Sequence, residues 1–171
     1  MATKNASNIL EDVNFAGKRM RWALSSGGSF DFQQGDLLWY DSTAKYVKPL
    51  DSDAHAQYLI GVAEKPAFIA PYSSTQGSSG VALQKNYDQD ALVMFGCLAG
   101  LYGVSGDTYH DGDQVYWGGV DAQTITNTKG GNNNVIGVIK FPSAAMGTAQ
   151  AYAAGTRYPV WVFAQYPFLM S

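Results

Sequence analysis

Gln34-Gly35-Asp36-Leu37-Leu38-Trp39-Tyr40 and Asp111-Gly112-Asp113-Gln114-Val115-Tyr116-Trp117 share one pattern: a Gly-Asp pair, then a short run ending in two aromatics. Glycine takes positive φ at a tight turn without steric cost, and the aspartate after it can tie nearby backbone amides. The aromatic run suits a strand on a pleated, half-buried surface. Downstream, Leu59-Ile60-Gly61-Val62 matches Val135-Ile136-Gly137-Val138, and Pro66 falls opposite Pro142. The offset is 77 residues from Gly35 to Gly112 and 76 from Gly61 to Gly137, so one deletion reconciles them. Such a spacing is too long for a solenoid period. It reads as a supersecondary unit used twice: Gly-Asp turn, aromatic strand, turn, short strand, Ile-Gly-Val strand. The glycine inside each last strand marks a bulge, a bend or a close backbone approach. Two such units facing each other predict a small closed or nearly closed β structure.

Outward from these units, short apolar runs alternate with turn residues. The predicted strands are Leu37–Tyr40, Tyr46–Pro49, Leu59–Glu64, Ala82–Gln84, Ala91–Cys97, Gln114–Trp117, Thr124–Asn127, Val135–Phe141 and Pro159–Phe163. Between them lie Gly- and Asn-rich turns at Ser73–Gly80, Gly118-Gly119 and Gly130–Asn134. Only Ser143–Ala154 has a helix-like composition, and Gly147 weakens it. Twelve Asp against two Glu point the same way, because Asp favours turns and Glu favours helices.

The 171-residue length fits one domain. Charged residues are 15% of the chain, below the roughly 25% usual for soluble domains, while aromatics reach 13%. A surface so poor in charge implies many neutral polar groups or a covering partner. The net charge of −3 argues against a general nucleic-acid binder. The single cysteine, Cys97, excludes an intrachain disulfide and fits a reducing compartment. No apolar run approaches membrane-spanning length and no export signal opens the chain, so synthesis in a cytoplasm, with no membrane partner, is expected.

Residues 1–30 differ from the body, 31–171. Lys4, Lys18, Arg19 and Arg21 against Glu11 and Asp12 give a local +2, leaving −5 for the remainder. The stretch reads as an extended amino-terminal arm, able to span about 100 Å. Its apolar residues, Trp22 among them, suit ordering against a neighbouring chain. Lys18, Arg19, Arg21 and Trp22 read as a solvated segment or a salt-bridging contact with an acidic protein partner, in preference to nucleic acid. At the other end, Tyr166 and Phe168 belong to an apolar tail with no evident place in a small core. Trp39-Tyr40 and Tyr116-Trp117 put neighbouring aromatics on opposite strand faces, one inward and one outward, and outward aromatics suit an interface.

Reactive constellations are sparse. Asp107, His110, Asp111 and Asp113 cluster in sequence, but their order is not that of a calcium loop, and the matching turn before Asp36 lacks most of these ligands. No metal or cofactor is expected. Cys97 follows a strand-like run, where cysteine is usually a small buried hydrophobe. No nucleophile elbow, Walker loop or His-Glu-x-x-His is present. An enzyme is not expected; it would need a cleft gathering His55 or His110 with two aspartates.

Gly35–Tyr40, Val47–Ala54 (Val-Lys-Pro-Leu-Asp-Ser-Asp-Ala) and Ile60–Glu64 (Ile-Gly-Val-Ala-Glu), with the second Gly-Asp and Ile-Gly-Val pair, resemble the small decoration, or cement, proteins of tailed-bacteriophage heads. The resemblance covers roughly residues 30 to 165. It implies an all-β, barrel-like or tulip-like antiparallel domain, usually trimeric, on the outer capsid surface of the virion. There it would bind the major capsid protein at threefold points, with no catalytic residues. The alternative is a carbohydrate-binding or head-fibre-type adhesion module, in which Trp39 or Trp117 stacks on sugars.

Overall fold

The computed structural model describes residues 9–11, 20–23, 32–43, 46–64, 90–131, 134–143 and 146–164. Their strands are β1 (Ile9–Glu11), β2 (Met20–Ala23), β3 (Leu37–Asp41), β4 (Tyr46–Pro49), β5 (Leu59–Ala63), β6 (Asp90–Met94) and β7 (Cys97–Gly103), followed by β8 (Thr108–Tyr109), β9 (Gln114–Trp117), β10 (Thr124–Thr126), β11 (Gly137–Ile139), β12 (Gln150–Ala151) and β13 (Arg157–Val162). A 3-10 turn spans His55–Tyr58, and there is no α-helix among the described residues. The chain is all-β. The helix-like composition at Ser143–Ala154 forms a turn at Gly147 and then strand β12. The strand expected over Ala91–Cys97 breaks at Phe95-Gly96, where the backbone leaves one sheet for the other. The predicted strand Ala82–Gln84 and turn Ser73–Gly80 lie outside the described residues.

Strands β7, β10, β9, β11 and β13 pair in that order, and β13 pairs back onto β7, closing a five-stranded barrel. Four pairings are antiparallel, but β10 lies parallel to β7. The barrel is therefore not wholly antiparallel as expected. The reason is geometric: strands that alternate direction cannot close a ring of five. Closure covers the ring's edges except along the first half of β7, which β10 does not reach. Strand β1 adds to β7 beside β10, with Ile9 opposite Ala99. The second sheet has the order β2-β6-β5-β3-β4, antiparallel throughout. Its outer strands β2 and β4 approach within 8 Å between Cα atoms, so the sheet curls on itself.

The two sheets have the same topology. Strands β2, β3, β4, β5 and β6 of the curled sheet occupy the positions that β7, β9, β10, β11 and β13 occupy in the barrel. Leu38 faces Gly61 as Val115 faces Gly137, and Val62 faces Met94 as Val138 faces Trp161. The amide of Gly35 donates to the Ala63 carbonyl at 2.8 Å, and that of Gly112 to the Ile139 carbonyl at 2.9 Å. The closed structure expected from two facing units is instead two structures, because each unit recruits two further strands and curls by itself.

The packing ties them together. Leu38, Val47, Ile60, Ala63 and Val93 fill the curled sheet. Leu37, Trp39, Leu59 and Val62, on the other faces of β3 and β5, join the barrel residues Leu101, Val115, Ile125, Ile139, Val160 and Val162 in one larger core. The register shift opposite Leu38 and Trp39 interrupts the alternation of β5, so Leu59 and Val62 face one core while Ile60 and Ala63 face the other, and all five of its residues are buried. Each large side chain so buried contributes about 1.5–3 kcal/mol. Across the junction the Leu37 amide donates to the Ala122 carbonyl at 2.8 Å, and Asn134 Nδ2 donates to the Asp53 carbonyl at 2.7 Å.

Two stretches of the expected arm are strands of this body: β1 lies on the barrel and β2 on the curled sheet. Both pair with this chain's own strands.

Candidate functional site

Strand β3 ends at Asp41, which shapes the turn after it. Asp41 Oδ1 accepts the Thr43 amide at 3.0 Å and Oδ2 accepts Lys48 Nζ from β4 at 2.7 Å. Opposite, Ser52 and Asp53 carbonyls accept the His55 and Ala56 amides, starting the 3-10 turn, and the fully buried Ala56 pins that turn to the core. Between the two turns lies a cleft of about 330 Å³ lined by Trp39, Tyr40, Asp41, Ser42, Thr43, His55 and Tyr58.

Trp39 forms the back of this cleft. Only 5% of it is exposed, and its Nε1 donates to the Pro49 carbonyl at 3.1 Å. The His55 ring lies nearly flat on the indole, with centroids 3.8 Å apart and planes 12° apart. Lys48 Nζ sits 5.3 Å from the Trp39 ring, within cation–π range, and the Tyr58 ring is 6.4 Å away. His55 Nδ1 in turn donates to Asp51 Oδ1 at 2.5 Å, which fixes how the imidazole is turned. The cleft's ionisable groups are thus paired, Lys48 with Asp41 and His55 with Asp51.

The structure does bring His55 together with two aspartates, Asp41 in the lining and Asp51 on its Nδ1. Asp41 is held by Lys48 and the Thr43 amide, and no hydrogen bond joins His55 to Ser42 or Thr43. The nucleophile–base contact that would mark hydroxyl activation is not made. What the arrangement offers is a shallow surface of aromatic rings and neutral hydroxyls.

The acidic run from Asp107 to Asp113 does not converge. Asp107 Oδ2 accepts the Tyr109 hydroxyl, Thr126 Oγ1 and the Asn127 amide. Asp111 accepts the Phe141 amide at 2.8 Å, and Asp113 accepts the His110 amide at 2.7 Å. Among the described residues no three His, Cys, Asp or Glu side chains gather as metal ligands. The Tyr109 ring lies tilted against Tyr158, centroids 4.4 Å apart, and its single hydroxyl proton is shared between Asp107 and the Ile125 carbonyl, each 3.0 Å away. Burial, reinforced by the Asp107 carboxylate, pushes its phenol well above the usual tyrosine range. Cys97 is fully buried at the start of β7.

The paired aromatics differ from expectation in one respect. Trp39 and Trp117 pack on the larger core while Tyr40 packs on the smaller, so both faces of β3 are covered. Neither tryptophan presents a bare ring: Trp117 is half-buried and its Nε1 donates to the Asp121 carbonyl at 3.1 Å. The large apolar side chains exposed among the described residues are Val120 and Met146. Of the expected interface residues, Arg21 and Trp22 lie on β2, opposite Leu92 and Ala91 of β6. Lys18, Arg19, Tyr166 and Phe168 lie outside the described residues. Sequence reasoning did not find the cleft; its one signal was that Trp39 and the Asp51–His55 segment sit at the two ends of a single hairpin. Comparison with protein-family models, curated proteins and solved structures finds no match to this chain.

Proposed function

We propose that this chain is a decoration protein of a tailed-phage head, a homotrimer on the outside of the shell that clamps neighbouring major capsid proteins. One observation carries the reading. The three segments that resemble decoration proteins are the turn before β3, the strands β3, β4 and β5, and the approach to the 3-10 turn, a contiguous part of one sheet. Their residues shape the body. Gly35 turns the chain at φ 89°, and Gly61 passes under the Met94 carbonyl, where any side chain would collide. A stiff, double-cored β body with little charge suits a clamp that must transmit force without reacting. Many copies on one shell would gain avidity from simultaneous engagement.

The partner contacts fall to Lys18, Arg19, Arg21 and Trp22 near one terminus and Tyr166 and Phe168 near the other. Because β2 is part of the curled sheet, deleting the first 24 residues would damage the body as well as the arm. Charge reversal at Lys18 and Arg19 is the cleaner probe. The deciding experiment adds the full chain to parent particles stripped of it and images them by electron microscopy. Trimeric density at threefold positions, weakened by Lys18→Glu with Arg19→Glu, is expected; particles that remain bare overturn the reading.

A further inference from the structure

We propose that the cleft between the β3–β4 turn and the 3-10 turn binds a neutral, hydroxyl-rich ring: one sugar unit of a glycan. Such a site is independent of shell attachment, so either can fail without the other.

Size is the first reason. At about 330 Å³ the cleft lies at the small end of small-molecule sites, large enough for a single compact ligand and too small for a peptide or oligonucleotide. Charge is the second. Asp41 is paired with Lys48 and Asp51 with His55, so an anion would meet two carboxylates and a cation would compete with Lys48. A neutral ligand displaces neither pair. Surface chemistry is the third. The C–H face of a sugar packs on aromatic rings, and its hydroxyls need closely placed polar partners. Here Tyr58 and His55 provide rings, and Ser42 and Thr43 provide exposed hydroxyls on the turn.

The tryptophan has a different role from the stacking platform expected of it. His55 covers its ring, so Trp39 is a positioning residue: it holds the imidazole flat, while Asp51 fixes the imidazole's rotation. Preorganisation of this kind lowers the ordering cost of binding.

The test is a saturation-transfer NMR titration of the full chain with the methyl glycosides of glucose, galactose, mannose and N-acetylglucosamine at millimolar concentration, with N-acetylneuraminic acid as the charged probe. Transfer to at least one neutral glycoside is expected, with N-acetylneuraminic acid weaker. Ser42→Arg fills the cleft from an exposed position without touching a core contact. It should cut affinity about tenfold or more, as should His55→Ala, while Val120→Ser on a remote loop changes nothing. Silence from all four glycosides, tighter binding of the acid, or transfer that Ser42→Arg leaves unchanged would each overturn the site.

Discussion

Asp36 and Asp113 follow the same kind of turn in the two sheets, yet they live in different surroundings. Each accepts the backbone amide three residues earlier, from Gln33 at 2.8 Å and from His110 at 2.7 Å. Each preceding glycine sits at nearly the same angle, φ 89° and φ 88°. Asp36, however, is 9% exposed and its second oxygen accepts Gln123 Nε2 from the barrel. Asp113 stays near solvent, where the exposed His110 ring meets it. One local device has been put to two uses: a turn cap in the barrel, and a turn cap plus inter-sheet tie in the curled sheet. Backbone geometry is dictated by the residues within the turn, whereas the energetic weight of the carboxylate depends on what packs over it.

The largest test of that equivalence is at the two buried strand glycines. A methyl at Gly61 would strike the Met94 carbonyl oxygen, and one at Gly137 the Trp161 carbonyl oxygen. Gly61→Ala and Gly137→Ala should each cost about 3 kcal/mol in urea unfolding; a small loss at either position would break the correspondence. Next, Asp36→Ala should cost about 2–3 kcal/mol, because it removes the buried bond from the Gln123 amide as well as the turn bond from the Gln33 N–H. Asp113→Ala should cost less than about 1 kcal/mol. Equal losses in urea melts would show that burial is not what separates the two.

Tyr109 and Phe32 are both buried four residues before the turn aspartate of their sheets, and only Tyr109 carries a hydroxyl, so it sharpens the contrast from the other side. Tyr109→Phe should cost about 1–1.5 kcal/mol by removing the bonds to Asp107 and Ile125. Its folded-state phenol is raised by burial and then by Asp107, so the folded chain holds the proton more tightly than the unfolded one. The stabilisation is therefore complete below about pH 10, the unfolded value, and is lost as pH rises above it. Melting temperature should fall more steeply above that pH in the native chain than in the Phe variant. Gly112→Ala belongs with the small effects. The added methyl meets open space, so only the left-handed backbone resists it, at about 1 kcal/mol by thermal denaturation.

The sequence made the local devices legible because they depend on few residues. The Gly-Asp turns, the aromatic strands β3 and β9, and the close approach at Gly61 and Gly137 all follow from residue chemistry within a short window. What was hidden depends on distant packing. The run Leu98-Ala99-Gly100-Leu101 drew no strand assignment because two small residues dilute its pattern, yet β7 is the strand that closes the barrel. Likewise Trp39 read as a platform because periodicity places it on a face without saying what lies over that face. His55, sixteen positions later, lies over it.

The placement of β1 has a consequence for how the chain is made. Ile9 pairs with Ala99, ninety positions later, and β7 in turn pairs with β13 near the far end. A ribosome releases β1 well before its partner exists, and β13 later still. The barrel therefore cannot close until β13 has been made, with β1 idle in the meantime. Contacts so far apart along the chain also favour slow refolding. A pulse of protease during translation should find β1 vulnerable until β13 emerges.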